Sequence, residues 1–197
     1  MIKSAITTAA ATPNDLPVTL AEAKSHLRIT SDNTDTANDA EITQMIYAAT
    51  EIYERAAWIE ITPKVRTFYL DDWQTLIEPK VYPLRSVTTV KYYDADNTLQ
   101  TLSSSTGYEV DLQASNPFIE IIETPTLKDR YNAIEIACAV GFANVAAIPP
   151  TITRGLRMLI GDFYEYRLNN GMVNFSPDHV PSKTMDYILL HSNKRFL

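Results

Sequence analysis

The apolar residues of this chain change period twice. Ile42, Met45, Ile46, Ala49, Ile52 or Tyr53, and Ala56 recur at steps of three and four, the spacing that lines up side chains on one face of an α-helix. Glu41, Gln44, Glu51, Glu54 and Arg55 are left for the outer face of that helix. From residue 62 to about 143 the period falls to two. It then returns to the helical value, with Ile152, Leu156, Leu159, Ile160 and Phe163 on one stripe. This last helix is expected over residues 148–168, about five turns. Pro149 and Pro150 suit its first turn, where a missing N–H costs nothing, and Asn169, Asn170 and Gly171 suit its end. An amphipathic helix needs a surface to bury its apolar stripe against. The expected partner here is the stripe at 42–56, more than a hundred residues earlier.

Shorter patterns fill in the rest. Thr19 followed three residues later by Glu22 reads as a capping box opening a short helix with Leu20, Ala23 and Leu27 inward, ending near Arg28. Asn38 and Glu41 read as a second box before the long helix, after a polar loop at 30–36. Strands are expected at 65–70, 73–78, 88–94, 99–102, 108–112, 118–122 and 133–140. The last alternates most cleanly, with Ile134, Ile136, Cys138 and Val140 on one side. Asp94, Ala95, Asp96 and Asn97 make a hairpin turn. Seven short strands at even spacing predict a small antiparallel sandwich or barrel. Ser182 is placed to cap a final helix carrying Met185, Ile188 and Leu189. The expected fold class is therefore α+β: a small helical bundle, built from N-terminal plus C-terminal helices, holding an inserted antiparallel β-sandwich or barrel-like domain. Residues 1–61 would supply an N-terminal arm and the first helices, 62–143 the β insert, and 144–197 the closing helices and a partner-binding tail.

Composition adds limits. Hydrophobic residues make up 45% of the 197, enough for packed cores. No apolar run nears the ~18 residues of a membrane span, so no membrane is expected. The first 17 residues hold one lysine and no long apolar core, which predicts an arm and not a signal peptide. A single cysteine, Cys138, excludes an intrachain disulfide and reads as a buried small hydrophobe, consistent with a soluble protein made in a reducing cytoplasm. The net charge of −7 is uneven: residues 1–61 carry 4 basic and 9 acidic side chains, 62–143 carry 7 and 11, and 144–197 carry 6 and 4. An acidic body argues against wrapping nucleic acid, which takes several Lys or Arg on phosphates, yet suits a surface past which DNA must slide.

No catalytic set stands out. His26, His179 and His191 fall on separate elements without metal-ligand spacing. Asp32, Asp35 and Asp39 lack the glycine and terminal glutamate of a calcium loop, so no metal and no cofactor is expected. Adjacent Asp71 and Asp72 point to opposite faces and read as a solvated turn; Glu120 and Glu123 read as solvent-facing. Arg154, Arg157 and Arg167 would pair with Asp162 and Glu165 of their own helix, or with a neighbouring subunit.

The order of motifs carries more than any one of them. P-V-T-L-x-E-A-K-x-H-L-R at 17–28 is followed by D-A-E-I-x-x-M-I-x-A-A-T-E-x-x-E at 39–54. Then come Y-P-L-R-S-V-T-T-V-K-Y-Y-D at 82–94, Y-E-V-D at 108–111 and G-F at 141–142. I-P-P-x-I at 148–152 leads into a helix with Y-E-Y-R at 164–167. Over residues 17–168 this resembles the head–tail connector (adaptor) proteins of long-tailed bacteriophages and related gene transfer agents, in particular the longer members with a β-rich insertion. The resemblance implies a non-enzymatic virion protein made in the bacterial host cytoplasm and built into the head–tail junction. Such proteins form a homo-oligomeric ring, commonly twelve-fold, under the portal protein. The ring extends the DNA channel, through which DNA passes without sequence-specific binding, and gives the stopper or tail-completion protein a platform. If the chain forms such a ring, a subunit interface is expected at Arg154, Arg157, Tyr164 and Arg167, and portal or partner docking by Met172, Val173, Phe175, Lys194, Arg195, Phe196 and Leu197. Two other classes compete. One is a β-sandwich carbohydrate- or protein-binding module displaying Tyr82, Tyr92 and Tyr93; the other is a small hydrolase with an unrecognised site.

Overall fold

A computed structural model describes residues 3–7, 16–29, 36–114 and 116–166. The chain divides into two compact units: Met1–Ala10 with Pro63–Gly141, and Ala11–Thr62 with Phe142–Leu197. The first described strand is β1 (Lys3–Thr7), which belongs to the β-rich unit and is taken up below with its partners. The α+β class and the β-rich insertion read from the sequence are both present.

The helical unit contains α1 (Leu20–Leu27), α2 (Asp39–Ala57) and α3 (Pro150–Tyr166). The Thr19 capping box forms as expected. Thr19 Oγ1 accepts from Glu22 N–H at 3.2 Å, and Glu22 Oε2 accepts from Thr19 N–H at 2.9 Å. Arg28 ends α1 in a left-handed conformation, φ 54°. The second box does not form. Asn38 sits at ψ 7° and not in the extended region that aims a cap side chain at the first N–H groups, and it makes no side-chain cap bond. The acidic residues of this turn, Asp39 and Glu41, complement the helix dipole in its place. α3 opens on Pro150, with Pro149 O accepting from Ile152 N–H at 2.9 Å.

The two stripes meet. Ile42, Ile46, Ala49, Tyr53 and Ala57 of α2 share one core with Ile152, Leu156, Leu159 and Ile160 of α3, closed by Ala23 of α1 and by Ile59, Ile61 and Ile148. The register settles the choice left open by periodicity: Tyr53 is fully buried and Ile52 is 37% exposed. Glu54 leaves the outer face assigned to it. Its Oε1 accepts from Ile61 N–H at 2.6 Å and Thr62 N–H at 3.0 Å, closing the turn that leaves α2. Without that acceptor these donors would lack their carboxylate partner in a partly buried turn.

The β-rich unit adds β2 (Lys64–Leu70), β3 (Leu76–Ile77), β4 (Leu84–Tyr93), β5 (Leu99–Thr101), β6 (Tyr108–Asp111), β7 (Phe118–Ile121) and β8 (Ile134–Val140). One antiparallel sheet runs β1-β2-β8-β4-β5, and a smaller one runs β3-β7-β6. Their inner faces share a core of Phe68, Leu70, Val90, Ile134, Ile136, Cys138 and Val140 with Ile77, Tyr108, Ile119 and Ile121, so the unit is a two-sheet sandwich. Three expectations change. Residues 3–7, read as part of an arm, form β1 and pair with β2 from Lys3↔Tyr69 to Thr7↔Val65. β3 is only two residues long, and Trp73, expected at its start, lies outside it and donates Nε1–H to Pro125 O at 2.8 Å. β4 starts earlier than expected and absorbs two register shifts against β8, between Leu84 and Ser86 and between Val87 and Thr89. Each of the seven expected strands has a counterpart, with β3 shortened and β4 extended toward its start. β1 escaped notice because five residues of Lys, Ser, Ala, Ile and Thr carry little periodicity.

Asp71 is not merely a solvated turn residue. Its Oδ1 accepts from Asn132 N–H at 2.8 Å, tying the end of β2 to the left-handed residue that leads into β8. Glu120 and Glu123 face solvent as expected.

Candidate functional site

The helical unit presents a cleft between α1 and α3. His26 of α1 and Pro150, Thr153, Arg154, Arg157 and Met158 of α3 line about 370 Å³ of open space. Ala21, Glu22, Ser25, His26 and Arg157 line an adjoining hollow. α3 supplies its residues at i, i+3, i+4, i+7 and i+8, one helical row beside the apolar stripe, and α1 supplies 21, 22, 25 and 26 on the same principle.

Arg157 Nη2 donates to Glu22 Oε1 at 2.7 Å, with 37% and 44% of the two side chains exposed. The same carboxyl closes the α1 cap through its other oxygen. Partial burial pushes Glu22 up, but the Thr19 N–H and hydroxyl, together with the Arg157 guanidinium, outweigh it and hold the carboxyl below its ordinary value. Arg157 was expected to pair along its own helix or with another subunit; within this chain it pairs instead with α1. Two residues further along α1, Lys24 is buried at 2% exposure and its Nζ reaches Asp39 Oδ1 at 2.8 Å. A buried ammonium requires such a partner. These ion pairs escaped the sequence reading, although Lys24 had left a trace: it stands four residues after Leu20 and three before Leu27, on the inward stripe.

Of the residues assigned to an interface, Arg154 is exposed and lines the cleft, Arg157 lines it and is ion-paired, and Tyr164 is half-buried on α3. Arg167 lies outside the described residues. So do Met172, Val173, Phe175, Lys194, Arg195, Phe196 and Leu197, as well as the helix expected after Ser182 and the loop residues Asp32 and Asp35.

The tyrosines proposed as a sugar platform do not act together. Tyr92 packs on the sandwich core with its ring 5.7 Å from that of Trp73, and the Arg130 guanidinium lies 3.8 Å over the Tyr93 ring. Tyr82 alone of the three is widely exposed, at 47%. Among the described residues no group of three or more His, Cys, Asp or Glu is placed to hold a metal ion, and no described helix is long and apolar enough to cross a membrane.

No protein-family model matches the chain, and no curated protein matches it. Solved structures do. A chain in the neck of an empty gene transfer agent particle, computed with C6 symmetry, superposes with a TM-score of 0.75 at 22% identity, covering 97% of this chain and 94% of its own. The fold is that of a gene transfer agent neck chain. A chain in the virion of a native gene transfer agent particle gives a TM-score of 0.74 at 22% identity over 95% of this chain and 93% of its own. A third, in a native particle neck computed with C12 symmetry, gives 0.66 at 20% identity over 97% and 94%. The likeness takes in helices and β insert together, with little overhang on either side.

Proposed function

We propose that the protein is a head–tail connector: a structural, non-enzymatic component of a virion neck. In this reading it forms a ring under the portal, extends the DNA channel and carries the stopper or tail-completion protein. The observation that supports it best is the extent of the likeness to a neck chain, 97% of this chain and 94% of the other. A shared common module would match in one unit only. Two of the similar chains come from necks computed with C6 and C12 symmetry, which suits a closed ring of identical subunits and a twelve-fold count. The net charge of −7 suits a channel through which DNA must slide without sticking.

The finer assignments belong to the same proposal. The helical unit, residues 11–62 and 142–197, builds the ring-forming layer, and the β-rich unit, which takes in β1, lies outside it or toward the tail. Arg154, Arg157, Tyr164 and Arg167 sit at the subunit contact. The segment from 172 onward, with Phe175 and Lys194 to Leu197, docks on the portal. The test is negative-stain imaging of the protein mixed with its portal, with mass spectrometry of purified particles. Ring-on-ring stacks and presence in the particle are expected. A protein that never stacks and is missing from particles is not a connector. Removing the residues after Ser182 should weaken portal docking and leave the fold intact; unchanged docking moves that contact elsewhere.

A further inference from the structure

A ring of identical subunits needs two different faces on each copy that fit one another. The helical unit carries two such faces. The first is the α1–α3 cleft with His26, Arg154, Arg157 and Met158, to which α2 contributes no residue. The second is the outer side of α2, turned away from the core. Glu41, Gln44, Ala48, Glu51, Ile52 and Arg55 follow one another there at helical spacing and all are exposed. Trp58 caps that row at 62% exposure, held at φ 56°. An indole left in water at the end of a helix is the kind of side chain that anchors protein contacts.

The charges of the two faces are opposite. Among the described residues that line the cleft there are two guanidinium groups, Arg154 and Arg157, and one carboxylate, Glu22. The α2 face holds two carboxylates, Glu41 and Glu51, against one guanidinium, and Arg55 Nη2 is engaged with Glu51 at 2.9 Å. The apolar parts also fit, with Met158 and Pro150 in the cleft and Ala48, Ile52 and Trp58 opposite.

The geometry points to a specific subunit contact: the outer face of α2 of one copy, anchored by Trp58, seats on the α1–α3 cleft of the next copy, where Arg154 meets Glu51. This rests on the connector reading and adds to it which two faces close the ring. The exposed ion pair orients the contact and suppresses like-charged approaches, whereas the indole supplies most of the affinity.

The experiment uses the full chain, with assembly followed by analytical ultracentrifugation over a concentration series and by ring counts on portal. Circular dichroism checks that each variant is folded. Trp58→Asn removes the indole yet keeps a residue that tolerates the left-handed backbone. It should weaken self-association at least tenfold. Arg154→Glu and Glu51→Arg should each weaken it severalfold. The double variant places the opposite charges across every contact and should recover most of the loss. Rings that form equally well with Trp58→Asn and Arg154→Glu overturn this contact and leave the connector reading standing. If Arg154→Glu instead lowers binding of a DNA duplex without touching assembly, the cleft faces the channel and this contact is wrong. A wild-type protein that forms no ring, alone or on portal, removes both readings.

Discussion

Arg157 and Glu22 stand 135 residues apart in sequence and 2.7 Å apart in space. Through this pair α3 holds the return arm of the α1 capping box. Glu22→Ala removes both the return arm of the capping box and the ion pair, and should cost about 1–2 kcal/mol. Arg157→Met should cost less than about 1 kcal/mol, because the pair is partly solvent-screened. The Glu22 carboxyl is held below its ordinary value, so its contribution is complete above about pH 4.5 and is lost as pH falls through the folded value. Urea unfolding from pH 7 to pH 3 should show a shallower acid loss in Glu22→Gln than in wild type; parallel curves would remove Glu22 from this role.

Lys24 and Asp39 give an asymmetric prediction. Asp39→Ala takes the carboxylate from a buried ammonium and should destabilise by about 3 kcal/mol. Lys24→Met keeps the volume of the side chain and buries no charge, so it should cost clearly less. Thermal melts of the two variants decide this, and equal losses would mean that the pair is tuned as a unit.

Glu54 is the acceptor for two backbone donors where the chain leaves α2. Glu54→Gln retains an acceptor oxygen and should cost about 1 kcal/mol, whereas Glu54→Ala should cost about 2 kcal/mol. Hydrogen exchange at the Ile61 and Thr62 amides should speed up in the alanine variant before global stability changes much.

Cys138 is fully buried in β8, and burial pushes its thiol up from 9.0 to about 12. Iodoacetamide at pH 8 should leave the native protein unlabelled and label it promptly in denaturant. Because the folded thiol keeps its proton longer than the unfolded one, stability should fall as pH rises past about 9. Rapid native labelling would show that the β core opens readily.

Leu156 lies in the seam between α2 and α3 with no exposure. Leu156→Ala should cost about 2–5 kcal/mol by leaving a cavity that rigid neighbours cannot close. A fluorescence-monitored urea melt should show the loss, whereas Leu99→Ala, on an exposed edge at 42%, should change little.

By itself the sequence determined what local chemistry and period can determine. The α2 and α3 stripes, the Thr19 cap, seven strands and the inward row of β8 follow from spacing, since helices repeat at 3.6 residues and strands at 2. The pairing of the two stripes followed because each needed an apolar partner and the strands between them formed their own core. Where a polar side chain ends up is different in kind. Asn38 failed as a cap because its backbone, at ψ 7°, lies outside the extended region that aims a cap side chain at the first N–H groups. Glu54 and Asp71 were read as surface groups and instead serve backbone amides 7 and 61 residues away, a choice made only once the turn lies beside them. The α1–α3 cleft exists because two helices far apart in sequence lie against a third, which placed Arg157 on Glu22 and buried Lys24 against Asp39. Periodicity records which face of an element is apolar; only tertiary structure brings together the polar residues of different elements, because those contacts depend on distances that no local spacing encodes.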